Sequence, residues 1–240
     1  MECRNYFDRI SLGYDSHLSS SLAIGEDIAL GELLSYWQSP FGTVWDGGCG
    51  TGLFVDIFPK ISVEKYKGVD ISEGMLSMAK RKHPLHNFCQ GDILDVMEEE
   101  LGFYDCVISL YGSLSLLGTE MESGIAACFK RLRSGGQAIL MFNGEREPKN
   151  RDGSIYSMDS GNDLPEVRLC SAKELGYMVE SFGEGDAELT VFNKNVDSLD
   201  PDGLSARAYA KIIGKESSES YKFNEVPDGD AAFYIVRKYA

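Results

Sequence analysis

Long apolar runs are missing from this 240-residue chain. None approaches the roughly 20 residues that cross a bilayer. The opening "MECRNYFDRI" has no apolar stretch behind a basic start, so a secretory leader is not expected. Closely spaced cysteines are missing too. Cys3, Cys49, Cys89, Cys106, Cys128 and Cys170 are scattered and form no CxxC. That spacing argues against a disulfide framework and a structural zinc site, and no metal is expected. The six read as small buried hydrophobes in a reducing, cytoplasmic compartment. Basic charge is scarce, with 23 Lys and Arg against 38 Asp and Glu, a net charge of −15. Such a field repels polyanions. The densest basic stretches, "KRKH" (80–83) and "KRLR" (130–133), close predicted helices, where cations suit the helix dipole. Nucleic acid and membrane partners are therefore not expected. A small or cationic substrate suits the field better. Histidine is rare: His17, His83 and His86 are the whole set.

What is present is a rhythm of short apolar segments. Residues 22–37 repeat apolar positions at helical spacing and predict an amphipathic helix. Strands are predicted at 43–46, 65–70, 86–92, 104–110 and 137–142. Helices are predicted between them: one from Gly52 to a stop at Pro59, one capped by Ser72, a short one over "ILDVMEEE", and one over 120–133. Thr119 and Glu122 fit a capping box for the last, and "SGG" (134–136) would end it. Strand and helix alternating in this way predict an α/β fold with a doubly wound, mostly parallel sheet. After Asn143 the rhythm breaks into a polar, turn-rich stretch. A helix at 171–182 follows, and "AELTVFNK" and "AAFYIVRKY" read as a closing hairpin. Between them lies a segment with a helix expected at 203–214. The organisation predicted is one domain, with a helical lid at 1–40, a core at 41–142, and cap insertions at 143–168 and 195–230.

"TVWDGGCGTGLF" (43–54) places four glycines between a strand and a helix. Ligands of α/β folds bind at the carboxyl ends of parallel strands, and glycine lets the backbone approach them. The following helix N-terminus would offer amides to a carboxylate or phosphate. A dinucleotide fingerprint would need glycine at position 53, where Leu53 stands. A phosphate-cradling loop would need a lysine that is absent.

What stands instead, Asp46-Gly47-Gly48-Cys49-Gly50-Thr51-Gly52, resembles motif I of the class I S-adenosylmethionine-dependent methyltransferases. The segments "YKGVDISEGML", "FCQGDILD", "DCVISLYGSLSLL" and "CFKRLRSGGQAILMF" resemble the later motifs of that family in order and spacing, over about residues 43–142. The N-terminal "YFDRISLGYD" resembles its lead-in. The resemblance implies a seven-stranded Rossmann-like sheet and S-adenosyl-L-methionine as cofactor, with S-adenosyl-L-homocysteine as product. It implies cofactor contacts at Asp46, Gly47, Gly48 and Gly50 in the loop, Asp70 on the ribose hydroxyls, Ile71 and Met75 against the adenine, Asp92 and Ile93 at its amino edge, Ser109 at the end of the fourth strand, and Tyr14 from the lid.

Several of these positions have a second reading. Asp46 could merely cap the glycine turn, Met75 could be core, and Tyr14 could be a core aromatic. Cys49 reads as a packing residue. Tyr111, just past the fourth strand, faces the expected reaction centre or packs in the core. His17 is a candidate base in the lid, whereas His83 and His86 are expected in solvent. The segment "SLYGSL" lacks the prolines of nucleic-acid methyltransferases and is similar to small-molecule members, including amino-sugar N-methyltransferases. Methyl transfer to N or O of a small acceptor is therefore the leading expectation, and a homodimer is compatible with it. A protein acceptor with basic tails, an NAD-dependent oxidoreductase and a non-catalytic cofactor-binding module stand as alternatives.

Overall fold

The structure, a computed structural model, describes residues 2–17, 21–36, 42–59, 61–144, 167–192, 220–221 and 233–240. Three helices lead: α1 (Glu2–Ile10), α2 (Tyr14–His17) and α3 (Ser21–Tyr36). Then come β1 (Val44–Gly47), α4 (Leu53–Ile57), β2 (Tyr66–Asp70), α5 (Glu73–Lys82), β3 (Asn87–Gln90), β4 (Tyr104–Ser109), α6 (Met121–Arg131) and β5 (Leu132–Asn143). The chain ends with α7 (Ala172–Glu180), β6 (Glu184–Phe192), β7 (Ser220–Tyr221) and β8 (Phe233–Tyr239). One sheet runs in the order β3-β2-β1-β4-β5-β8-β6-β7. Strands β3, β2, β1, β4 and β5 are parallel, and β8 enters antiparallel between β5 and β6. The seven-stranded, mostly parallel class is present, and the two-residue β7 lengthens its edge.

The alternation of side chains across β1 explains why the sheet is covered on both faces. Val44 turns toward Leu30, Leu34, Phe54 and Val55 on the α3–α4 side, while Trp45 turns toward Ile125, Cys128, Leu175 and Val179 on the α6–α7 side. Each such fully buried apolar side chain contributes about 1.5–3 kcal/mol. The chain ends on the expected hairpin, with Leu189 opposite Val236.

Some elements depart from the sequence expectations. Helix α3 is not sharply amphipathic: Ala29, Leu30 and Leu34 are buried, but Ile24 is exposed. Helix α4 has only five residues. The "ILDVMEEE" helix is replaced by one 3₁₀ turn at Glu98–Glu100, and the Ile93 and Asp95 carbonyls accept hydrogen bonds from Arg131 instead. No capping box forms on α6, because a 3₁₀ turn at Ser115–Glu120 absorbs Thr119. The helix stops before "SGG": Leu132 is already extended, and β5 runs through the glycines. Cap insertions 143–168 and 195–230, with the helix expected at 203–214, lie outside the described residues apart from 143–144, 167–168 and 220–221. Among the described residues no helix is long and apolar enough to cross a membrane. All six cysteines are free thiols, four of them buried, while Cys3 and Cys89 are only partly so.

Candidate active site

The carboxyl ends of β1, β2, β3 and β4 share one rim, because the parallel register puts Gly47 opposite Val69, Asp70 opposite Gln90 and Asp46 opposite Ile108. A cleft opens there. Its floor is the glycine loop. Gly48 N and Cys49 N donate to the Val69 carbonyl at 2.8 and 3.1 Å, which folds the loop back over β2. Gly48 and Gly50 have φ of 72° and 52°, in the left-handed region. A Cβ on Gly50 would find no protein atom within 4 Å. The bare backbone there faces open cleft.

Asp70 stands across from it. Its Oδ2 accepts from Gly50 N and its Oδ1 from Ser72 N, both at 2.8 Å. One carboxylate thus joins the β1 loop to the start of α5. Burial lifts its pKa, against the pull of those two amides. Ser72 caps α5 as expected, accepting from Met75 N at 3.1 Å. Helix α1 docks on the same turn. Asp8 of α1 accepts from Ser72 Oγ at 2.6 Å and from Gly74 N at 2.8 Å, and Tyr6 packs on Met75.

Asp46 lies deeper, 2% exposed, and accepts from the Tyr66 hydroxyl at 2.7 Å. Burial pushes its carboxyl up to about 7, with the Tyr66 hydrogen bond opposing and Asp70 adding to the rise. The native state therefore keeps a proton that the unfolded chain releases near pH 4, and this group costs stability as pH rises from about 4 to 7. An Asp46→Asn protein keeps an acceptor for Tyr66 and loses the ionisation. Its Tm should exceed that of the wild type by a margin that widens from about pH 4 to 7 and then levels. Calorimetric scans across that range check this, and a margin independent of pH would contradict it.

Of the residues singled out from the sequence, Tyr14, Asp46, Gly48, Gly50, Asp70 and Ile71 line the cleft, as do Met75, Asp92, Ile93 and Tyr111. Gly47 does not. A Cβ there would lie 2.2 Å from the Trp45 ring, so its bare Cα makes room for a core side chain. Ser109 is fully buried within β4 and also lies off the cleft wall. His17 closes α2, and its side chain lies outside the described residues. His83 is not a solvent residue: its side chain is 16% exposed and its Nε2 lies 3.0 Å from Asp56 Oδ1. His86 is half-buried, and burial lowers its pKa.

Other wall residues escaped the sequence reading. Ser113 Oγ donates to the Gly48 and Leu110 carbonyls, tying the segment after β4 to the glycine loop. Its signal was only its place in "SLYGSLSLL". Thr51 Oγ1 donates to Asp15 Oδ1 at 2.6 Å, and Asp15 pairs with Lys82 at 2.9 Å, so α2 is tied to the loop as well. Tyr111 takes φ 52° and donates its hydroxyl to Asp27 of α3. Burial raises the Asp27 carboxyl pKa, against that hydrogen bond. No local pattern in α3 marks Asp27.

The arrangement suits a ligand with an apolar, hydrogen-bonding ring, a diol and a polar tail: aromatic and aliphatic walls, a carboxylate on the rim and a bare loop. A family profile described as "Methyltransferase domain" matches residues 44–136. A malonyl-[acyl-carrier protein] O-methyltransferase of Serratia marcescens is 26% identical over 138 residues, which cover 57% of this chain and 50% of that protein. A dTDP-3-amino-3,4,6-trideoxy-alpha-D-glucopyranose N,N-dimethyltransferase of Streptomyces venezuelae is 32% identical over 98 residues, 40% of each. The chain thus spans half or less of these curated relatives. A solved structure from Thermotoga maritima, described as an S-adenosylmethionine-dependent methyltransferase and possible histamine N-methyltransferase, shares the fold. It superposes with a TM-score of 0.64 at 18% identity, over 98% of both chains.

Proposed function

We propose, from the premise that residues 44–136 belong to the methyltransferase-domain family on a class I sheet, that this cleft binds S-adenosyl-L-methionine and directs its methyl group to N or O of a small acceptor. The observation that carries the reading is the pairing of Asp70 with the Gly50 amide, one strand apart at the sheet rim, beside a bare Cα that faces open space. In this reading the carboxylate accepts from the ribose hydroxyls and the loop admits the amino-acid tail. Ile71, Met75 and Ile93 enclose the adenine, and Asp92 meets its amino edge. Asp46, Gly48 and Tyr14 complete the contacts.

The cofactor supplies an electrophilic methyl on a sulfonium. The chain's own part is to bind, to hold the acceptor in line and to exclude water. Tyr111 borders the acceptor side, oriented by Asp27, and His17 of the lid is the second candidate to receive a proton. Residues 1–40 act as the lid, 41–142 as the core, and insertions 143–168 and 195–230 choose the acceptor. The likeness to an amino-sugar N,N-dimethyltransferase supports a small-molecule acceptor. The net charge of −15 suits an acceptor that is not a polyanion. The proposed setting is the cytoplasm, with a homodimer compatible.

The test is transfer of label from methyl-labelled S-adenosyl-L-methionine to a panel of small amines, amino sugars, phenols and carboxylic acids, with a basic peptide and an oligonucleotide as comparison acceptors. Label should appear on one class of small acceptor. Label on the peptide or oligonucleotide alone would contradict the acceptor class.

A further inference from the structure

Arg131 is a buried cation that the proposed function leaves unused. It closes α6, where the sequence suggests an ordinary helix-end charge, yet it is 1% exposed. A guanidinium so placed must find acceptors inside the protein. Its Nε donates to Glu100 Oε2 at 3.0 Å. Nη1 donates to the Ile93 and Ala127 carbonyls at 2.9 and 3.0 Å, and Nη2 to the Asp95 carbonyl at 2.7 Å. Its Cζ lies over the Trp45 ring, 3.9 Å from the centroid. Glu100, 4% exposed, also accepts from Lys67 at 2.7 Å.

Two of those carbonyls belong to the segment that leaves β3, the part of the cleft wall carrying Gly91, Asp92 and Ile93. At its start, Gly91 N donates to the Asp70 carbonyl at 3.1 Å. Its far end is gripped from the core side by Arg131. Between these anchors Asp92 Oδ1 accepts from Leu94 N at 3.0 Å, and its Oδ2 has no hydrogen bond among the described residues. The guanidinium fork therefore sets where that free oxygen stands. A lysine could not reproduce this: one ammonium cannot span Glu100 and two carbonyls as a guanidinium fork does.

We propose that Arg131 is a positioning residue that presets segment 91–95 and so, through Asp92, makes the cleft select a purine bearing an amino group over one bearing a carbonyl at that edge. A carboxylate accepts from an amino group and repels a carbonyl oxygen. The assignment rests on the S-adenosyl reading of the cleft.

Calorimetric affinities for S-adenosylhomocysteine and its deaminated analogue S-inosylhomocysteine test it, with Tm measured alongside. Wild type should prefer the adenosyl ligand by about tenfold or more, the effect of one charge-assisted hydrogen bond. Arg131→Lys should lose about tenfold in adenosyl affinity while inosyl affinity hardly changes, so the preference collapses. Glu100→Gln, which keeps an acceptor for Nε but loses the charge, should move the same ratio in the same direction and less far. A folded Arg131→Lys protein whose ratio is unchanged, including one in which both affinities fall together, overturns the assignment. Should that variant not fold, an unchanged ratio in Glu100→Gln overturns it. Failure of wild type to bind either ligand removes the S-adenosyl reading and this assignment with it; wild-type binding with unmoved ratios removes this assignment alone.

Discussion

Asp70→Ala protein is expected to lose S-adenosylhomocysteine affinity by on the order of 10²–10⁴-fold while remaining folded. Two losses combine. The carboxylate would accept from two ribose hydroxyls, and hydrogen bonds to a charged acceptor contribute about 1.5–3 kcal/mol each. The same side chain accepts from Gly50 N and Ser72 N, so its removal also frees the glycine loop from the start of α5. Stability should fall far less than affinity. Burial already raises the Asp70 pKa, so removing the group also removes the cost of burying its charge. Asp70→Asn, which keeps the shape but not the charge, should fall between the two. Calorimetry gives the affinity and a thermal scan the folding. Undiminished affinity in a folded Asp70→Ala protein would contradict the site.

Gly50→Val should lose the ligand by exclusion, not by a clash within the protein. An added Cβ meets no protein atom within 4 Å, so the side chain occupies cleft space alone. The left-handed φ of 52° costs an L-residue roughly 1–2 kcal/mol, and more for a β-branched one. Ligand binding should fall by about 100-fold or more, because the valine would stand where the proposed function puts the amino-acid tail. Gly135→Val is the control. Gly135 also has a positive φ, 72°, and open space around its Cβ, but it sits in β5 away from the cleft. It should show a comparable loss in Tm with unchanged ligand affinity. Equal ligand losses in the two proteins would mean that the effect is one of stability.

The strands and the cleft floor were legible because their signals are local. Short apolar runs bounded by turn residues marked β1 to β5, and the alternating glycines of 47–52 marked the loop. Asp70 was legible as the acid at the end of the second strand. Residues decided by tertiary contacts were not. Gly47 looks like its loop neighbours, but its bare Cα serves the Trp45 ring two residues earlier. Thr119 and Glu122 have capping-box spacing, yet the preceding 3₁₀ turn takes Thr119. The helix expected over 93–100 loses two of its carbonyls to Arg131, more than thirty positions away in the chain. Asp27, Asp8 and Asp15 read as ordinary surface acids. Only the fold brings them to Tyr111, Ser72 and Thr51.

Calorimetric titration of the wild-type protein with S-adenosylhomocysteine, run beside NADH, bears most directly on the cleft. Saturable one-to-one binding of the sulfur nucleotide, with no heat from the nicotinamide one, is the result expected. A flat trace at millimolar S-adenosylhomocysteine, or saturation by NADH instead, would contradict the assignment of Asp70 and the Gly50 loop.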